Sequence, residues 1–291
     1  MLKDRINGFL KLIRIGISLF GCIGLFASGI LAEDLTGFQI EYLIAFFIIF
    51  ISAAGAFAIN DYYDFEIDKR NKRTDRPLVL GLLSRRTALI TAIISFIIVI
   101  LLAVFLNLVA MSLVFISLPI FYLYSIGLKK KILFKNLLIA YSYVATIFLG
   151  SLVTDAILEP LIIYFAIMGF IVGLGSEIMF DIADVQGDKD LGIKTIPSEF
   201  GLKKAARVTV LLYSITIILD PLPFFVLIDS RLYLNFLFLF LILPPVISYI
   251  FLSRSLLKDQ SKENVLKLRI IIFLIMQFGT ISYLLGVLIK F

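Results

Sequence analysis

The sequence contains no histidine and only one cysteine among 291 residues. Without histidine, no imidazole can bind zinc or serve as a general base. The single cysteine, Cys22, lies in an apolar run and has no partner for an intramolecular disulfide. Any bound metal ion therefore needs oxygen ligands, which favours Mg²⁺, Mn²⁺ or Ca²⁺ over zinc.

Charged residues are scarce as well, at 16% of the chain, whereas 61% of the residues are hydrophobic. A soluble domain usually has about 25% charged and about 45–50% apolar residues. A water-soluble fold of this size could not bury so many apolar side chains. We therefore predict an integral membrane protein.

Nine apolar runs approach the length of about 20 residues that a helix needs to cross a bilayer. They cover Ile15–Ala32, Tyr42–Ile59, Thr87–Leu106, Leu108–Ile126, Leu137–Val153, Leu161–Phe180, Val208–Ile228, Leu232–Leu252 and Ile270–Ile289. The pattern predicts an all-α integral membrane protein with nine transmembrane helices. No linker or low-complexity stretch divides it, so we expect residues 1–291 to form a single domain.

The net charge of +6 is explained by where the basic residues lie. The loops between the nine runs alternate between the two sides of the membrane. Of the 27 lysine and arginine residues, only Arg231 and Lys290 fall on the side opposite the N-terminus. The positive-inside rule makes the basic side cytoplasmic. We predict a cytoplasmic N-terminus and an outside C-terminus, and a nucleic-acid partner is not needed to explain the charge.

An aspartate motif occurs twice with the same spacing. Asp61, Asp64 and Asp68 recur 120 residues later (181 − 61 = 120) as a second set, which consists of Asp181, Asp184 and Asp188. Each set begins at the predicted cytoplasmic end of an apolar run, the second and the sixth. Four spans separate the copies, which indicates an internal repeat with parallel topology.

If each motif continues its transmembrane helix, its three aspartates lie within roughly 60° of arc on one face. Such neighbouring carboxylates repel one another and need compensating cations. Mg²⁺ typically combines one or two carboxylates with phosphate oxygens of a substrate. We therefore predict two or three Mg²⁺ ions and a diphosphate between the two stripes. The predicted metal ligands are Asn60, Asp61, Asp64, Asp68, Asp181, Asp184 and Asp188. The alternative, solvated acids paired with nearby lysines and arginines, does not explain the repeated spacing.

Both motifs resemble signatures of the UbiA superfamily of intramembrane prenyltransferases. The run from Asn60 to Asp68, followed by Asp75-Arg76-Pro77, is similar to the first signature. The run from Asp181 to Asp188, followed by Gly192-Ile193-Lys194-Thr195, is similar to the second. The resemblance implies helices around a central cavity, Mg²⁺ dependence and transfer of a polyprenyl group from its diphosphate. It assigns catalysis to Asp64, Asp68, Asp184 and Asp188.

The segment from Tyr124 to Lys131 resembles a third element of that superfamily, in which a lysine grips the diphosphate and a tyrosine borders the carbocation. This resemblance implies a catalytic role for Tyr124 and diphosphate binding by Lys129 and Lys130. The alternative is a cluster of basic residues that serves topology alone.

Three further charged residues are candidates. Arg76 follows the first motif and is expected to contact phosphate, although a surface role is the alternative. Arg14 resembles a position that meets the acceptor, and its alternative is an arginine that snorkels to the interface. Glu177 lies one turn before Asp181 and either serves the site or pairs with a basic residue.

The first motif resembles most closely the superfamily branches of chlorophyll synthesis and of archaeal ether-lipid synthesis, and we expect the ether-lipid branch. That likeness implies transfer of a geranylgeranyl group to geranylgeranylglyceryl phosphate. The hydroxybenzoate branch usually has arginine where Phe65 stands, but Leu78-Val79-Leu80-Gly81 departs from the ether-lipid pattern. Prenylation of 4-hydroxybenzoate or a quinone precursor is therefore the alternative reaction.

A secondary transporter with an acidic cytoplasmic vestibule is an alternative from another class. Transporters typically place ionisable residues near the bilayer midplane, on broken helices. Here the acids cluster at one membrane boundary, which favours an enzyme. We expect a multi-pass protein of the cell membrane with its active site at the cytoplasmic side, with a polyprenyl diphosphate and a lipophilic acceptor as partners and no obligate protein partner.

Overall fold

The structure, a computed structural model, describes residues 2–70, 73–126, 131–190 and 192–289. Every regular element within these ranges is a helix, which confirms the predicted all-α class. The helices are α1 (Leu2–Leu12), α2 (Ile15–Leu31), α3 (Ile40–Arg70), α4 (Arg85–Ala103), α5 (Leu108–Ile126), α6 (Phe134–Leu152), α7 (Pro160–Asp190), α8 (Ile196–Phe200), α9 (Leu202–Leu219), α10 (Leu222–Phe225), α11 (Phe236–Lys258) and α12 (Lys262–Leu288).

The helices match the predicted membrane spans. Among the residues that the structure covers, eight helices are long and apolar enough to cross a membrane, and up to nine if the bent pair α1–α2 forms one span. The two members of that pair meet at an angle of 43°. Arg14 lies at the break with a φ of 45°, a left-handed conformation that residues other than glycine rarely adopt.

Helices α3 and α7 extend well beyond the predicted spans and carry the aspartate motifs. Both have 31 residues, and their first and last residues are separated by the same offset as the motifs. Each helix also has an equivalent backbone hydrogen bond at its C-terminal end. The N–H of Arg73 donates to the Asp68 carbonyl at 3.1 Å, and the N–H of Ile193 donates to the Asp188 carbonyl at 2.8 Å. The repeat seen in the sequence therefore includes the backbone.

Several span boundaries differ from the prediction, and local sequence explains two of them. The seventh span was predicted to reach Ile228 and extends to Phe225, but its first helix α9 ends at Leu219 because Pro221 follows and cannot donate a backbone hydrogen bond. The eighth was predicted to start at Leu232, but α11 starts at Phe236. There the Asn235 side chain accepts a hydrogen bond from the N–H of Phe238 and caps the helix.

The chain comprises two compact units. The first contains Met1–Gly29, Asp34–Lys129 and Phe148–Ile157, and the second contains Ile30–Glu33, Lys130–Ile147 and Leu158–Phe291. The single domain expected for residues 1–291 stays a prediction. In the first unit α3 packs against α1, α4 and α5. In the second unit α7 packs against α9 and α12, and α11 against α9 and α12.

Each unit has its own core. In the first, small residues of α3 and α4, among them Ala58, Ala88 and Ala92, are fully buried. In the second, large side chains fill the interior, and Tyr213 is buried with its hydroxyl 3.1 Å from Ser176 Oγ. Both arrangements hold a long motif-bearing helix against its neighbours.

Candidate functional site

The first acidic stripe lies on the last turns of α3. Asp61 and Asp68 are buried, whereas Asp64 is partly exposed. Arg76, which follows the helix, bridges the two buried carboxylates. Its Nη1 lies 2.9 Å from Asp61 Oδ1, and its Nε lies 3.3 Å from Asp68 Oδ2. One guanidinium therefore balances the first and third aspartates, which are two helical turns apart.

Arg14 is a second cation at the first stripe. Its Nη2 lies 3.2 Å from Asp61 Oδ1, and its guanidinium carbon lies 4.3 Å from the centre of the Phe57 ring. Tyr124 is close enough to interact with it electrostatically. The first unit thus brings together Arg14, Arg76, Tyr124 and the first motif, and the site role of Arg14 stays a prediction.

The electrostatics beyond the membrane span differ between two neighbouring aspartates. Burial raises the pKa of Asp68, and the charge of Arg76 opposes this rise. Asp75 accepts two hydrogen bonds of 2.8 Å from Arg73, which lower its pKa to about 2. Asp75 and Arg73 are both exposed, so this pair lies at the surface.

The second acidic stripe repeats the pattern on α7. Asp181 and Asp188 are buried, and Asp184 is exposed. Lys135 Nζ lies 2.6 Å from Asp181 Oδ1 and 3.3 Å from Asp188 Oδ2. Asn136, which is fully buried, donates from Nδ2 to Asp181 Oδ2 at 2.8 Å. Again one cation bridges the first and third aspartates, although here it belongs to the segment that begins α6.

Sequence reasoning missed Lys135 and Asn136. Lys135 contributed only to the count of basic residues on the predicted cytoplasmic side. It is 53 residues away from Asp188, and no local spacing rule links positions so distant. The available signal was a lysine followed by an amide at the start of an apolar run, on the side predicted to be cytoplasmic. Lys129 and Lys130, predicted to bind diphosphate, lie outside the described residues.

Glu177 lies one turn before Asp181 on α7 and is partly buried. The cations within electrostatic range of its carboxylate include Lys135 and Arg269. Asp181 and Asp184 lie within the same range, so charges of both signs surround this carboxylate.

The residues of both stripes are suited to a hard divalent cation. Every side chain of the two motifs offers oxygen ligands, as Mg²⁺ requires. Asp64 and Asp184 are the most exposed carboxylates of their stripes, so each is accessible to a metal ion and its substrate. Asp181 has both oxygens engaged, by Lys135 and Asn136.

Long membrane-spanning helices that end in acidic stripes are typical of a membrane enzyme that handles a diphosphate substrate. The chain belongs to the UbiA prenyltransferase family, whose model matches residues 19–281, and it is a membrane prenyltransferase. The digeranylgeranylglyceryl phosphate synthase of Pyrococcus furiosus is 36% identical over 219 residues, which are 75% of this chain and 78% of that protein. The synthase of the same name from Archaeoglobus fulgidus is 31% identical over 91% of this chain and 88% of its own.

Solved structures share the fold. A digeranylgeranylglyceryl phosphate synthase superposes with a TM-score of 0.77 and 26% identity, over 98% of this chain and 99% of that one. A UbiA homologue from Archaeoglobus fulgidus, bound to GPP and Mg²⁺, superposes with a TM-score of 0.69 and 21% identity over 95% and 99% of the two chains. The predicted all-helical, multi-pass membrane fold is therefore confirmed.

Proposed function

We propose that this enzyme transfers a geranylgeranyl group from geranylgeranyl diphosphate to geranylgeranylglyceryl phosphate, with Mg²⁺ as cofactor, in archaeal ether-lipid synthesis. The observation that carries the proposal is the pair of acidic stripes, each with buried carboxylates bridged by one cation. Relatives named digeranylgeranylglyceryl phosphate synthase support the acceptor. The UbiA homologue bound to GPP and Mg²⁺ supports an allylic diphosphate donor.

The contacts divide the predicted metal ligands into two groups. We assign Asp64, Asp68, Asp184 and Asp188, with Asn60, to two or three Mg²⁺ ions. Asp61 and Asp181, although among the predicted ligands, are occupied by basic or amide side chains. They anchor Arg14, Arg76, Lys135 and Asn136. When bound, Mg²⁺ would neutralise the diphosphate and make it a better leaving group.

In the proposed reaction the C1–O bond of the donor breaks, and its electron pair leaves with the diphosphate. The acceptor hydroxyl oxygen forms a new bond to C1 and releases its proton, for which Asp184 or Asp188 is the proposed base. Lys129, Lys130 and Arg76 supply positive charge for the diphosphate, and the ring of Tyr124 borders the carbocation. Arg14 is assigned to the phosphate of the acceptor.

The proposed location follows from the two ends of the donor. Its tail is apolar and its diphosphate is ionic, so a site at the boundary between membrane and cytoplasm accommodates both. We place the stripes at the cytoplasmic side of the cell membrane, on the basis of the distribution of lysine and arginine.

The test is a transfer assay with the purified protein and radiolabelled geranylgeranyl diphosphate. Geranylgeranylglyceryl phosphate and 4-hydroxybenzoate are offered separately, with Mg²⁺ or with EDTA. We expect diether product that requires Mg²⁺ and that falls at least about 100-fold in Asp64→Asn and in Asp184→Asn, since each removes a charged metal ligand. Asp190→Asn is the matched control, because this exposed acid of α7 lies off the stripe.

Each alternative has its own outcome. Product with 4-hydroxybenzoate alone would support prenyl transfer but would contradict geranylgeranylglyceryl phosphate as the acceptor. Absence of both products, in folded protein that also shows no Mg²⁺-dependent binding of the diphosphate, would contradict the proposal and favour the transporter.

A further inference from the structure

Lys135 is anchored to one aspartate of the second stripe more closely than to the other. Its ammonium lies 2.6 Å from Asp181 but 3.3 Å from Asp188. Asn136, the next residue, fixes the second oxygen of Asp181. The Asp181 end of the bridge is thus held by two neighbouring residues of the chain, and the Asp188 end is the weaker contact.

The equivalent bridge in the first stripe is made by a different kind of cation. Arg76 contacts Asp61 and Asp68 through two separate nitrogens of a rigid, planar group. Lys135 contacts both of its aspartates through a single nitrogen at the end of a flexible stem. An ammonium of this kind changes position more easily than a guanidinium held at two points.

A divalent cation at Asp188 would compete with this ammonium. Two positive charges a few ångströms apart repel strongly wherever water is partly excluded, and Lys135 is only 15% exposed. The ammonium can relieve the repulsion if it leaves Asp188 and stays on Asp181.

We propose that Lys135 is a displaceable counter-cation of the second stripe. It neutralises Asp188 in the metal-free protein, gives way to the divalent cation while it remains anchored on Asp181, and so sets the metal affinity of this stripe. The proposal rests on the metal-binding role in the proposed function, and it adds a positioning residue that acts through Asp188.

The test measures Mn²⁺ binding to the full-length protein in lipid nanodiscs, by the electron paramagnetic resonance signal of free Mn²⁺ and without diphosphate. An Asp64→Asn, Asp68→Asn background removes two carboxylates that we assign to metal binding in the first stripe. We expect Lys135→Met to bind Mn²⁺ about tenfold more tightly, because no ammonium has to be displaced. We expect Lys135→Arg to bind more weakly than the parent, because a guanidinium can hold both carboxylates through separate nitrogens.

The matched control is Lys189→Met, which removes the same charge from an exposed position next to Asp188. Its Mn²⁺ affinity should stay within about twofold of the parent, since an exposed charge is screened by solvent. A purely structural Lys135 would give the reverse order, with Lys135→Met weaker than the parent and Lys135→Arg similar to it.

Unchanged or weaker binding in folded Lys135→Met overturns the proposal. If Lys135→Met does not fold, then equal or tighter Mn²⁺ binding by Lys135→Arg overturns the proposal instead. The proposal is also overturned if the parent, the Asp64→Asn, Asp68→Asn protein, binds no Mn²⁺. The transfer assay on the wild-type protein tells this failure apart from failure of the proposed function. An active enzyme whose variants do not follow the expected order refutes the role of Lys135 alone.

Discussion

Arg76 is a largely buried guanidinium, 16% exposed, that forms ion pairs with two carboxylates of one helix and donates a hydrogen bond to one of them, Asp61. Its partners are themselves only 2% and 7% exposed. A buried ion pair contributes little net stability relative to an apolar replacement, but removal of one partner leaves uncompensated charge in a poorly solvated place. The importance of Arg76 is therefore greatest while both aspartates remain.

Arg76→Gln should lower the free energy of unfolding by at least about 2 kcal/mol, since Asp61 and Asp68 lose the cation that they share. Arg73→Gln is the control at a neighbouring position, because the Arg73–Asp75 pair is 46% and 59% exposed and should matter by less than about 1 kcal/mol. Thermal unfolding of both variants in detergent gives the comparison. Equal destabilisation by the two variants would show that the buried ion pairs of Arg76 contribute no more to stability than the exposed Arg73–Asp75 pair.

The aspartates of the site could be predicted from the sequence, whereas some of their partners could not. Helical spacing places Asp61, Asp64 and Asp68 on one face whatever the tertiary structure. Lys135 and Asn136 meet Asp181 only because α6 packs near α7, and that contact depends on the whole second unit. Residue spacing along one helix is local information, and ion pairing between helices is not.

Among the elements, α3 and α4 form the tightest helix pair of the first unit because small residues face each other. A side-chain carbon added at Gly55 would lie 2.8 Å from Ser95 Cβ, closer than real contacts allow. Small residues at such interfaces let helix backbones approach closely, and van der Waals packing is then the main attraction in lipid.

Gly55→Leu should therefore separate α3 from α4 and destabilise the protein by about 1–3 kcal/mol, the usual effect of overpacking. Gly279→Leu is the matched control, since a carbon added at that helical glycine of α12 meets nothing within 4 Å. Unfolding curves in the same detergent separate the two variants. If Gly279→Leu proved as damaging as Gly55→Leu, close approach of α3 and α4 would not be the cause.

The helices themselves were largely predictable, and their ends were not. Within the described residues, the apolar runs located the eight candidate spans and the bent pair α1–α2, because lipid exposure demands apolar side chains over a fixed length. They could not locate the ends of α3 and α7, since charged residues continue a helix once it has left the hydrocarbon. The apolar runs also could not predict the break between α1 and α2 at Arg14, because a left-handed φ in an arginine has no signature in composition.

At the scale of the whole molecule, the orientation in the membrane rests on the distribution of lysine and arginine. The single cysteine offers a direct way to measure this, because Cys22 is buried and can be replaced to leave a cysteine-free chain.

In a Cys22→Ser background, Thr36→Cys should react with a membrane-impermeant maleimide applied to intact cells, because the loop after α2 is predicted to lie outside. Lys203→Cys, at the start of α9, should react only after the membrane is permeabilised. Both original side chains are exposed, so access to solvent is comparable. The opposite labelling pattern would invert the predicted topology and move the stripes away from the cytoplasm.

In α3 and α7, the helical segment that precedes the first aspartate of the stripe has the length that is needed to cross the hydrocarbon of one bilayer. The first aspartate of each stripe lies 21 residues beyond the start of its helix (61 − 40 = 181 − 160 = 21). At 1.5 Å per residue this distance is about 32 Å, close to the hydrocarbon thickness of about 30 Å. A thicker bilayer would draw the aspartates into hydrocarbon, and a thinner one would lift them away from the tails of their substrates. The thickness of the surrounding bilayer should therefore affect how far the two stripes lie from the hydrocarbon.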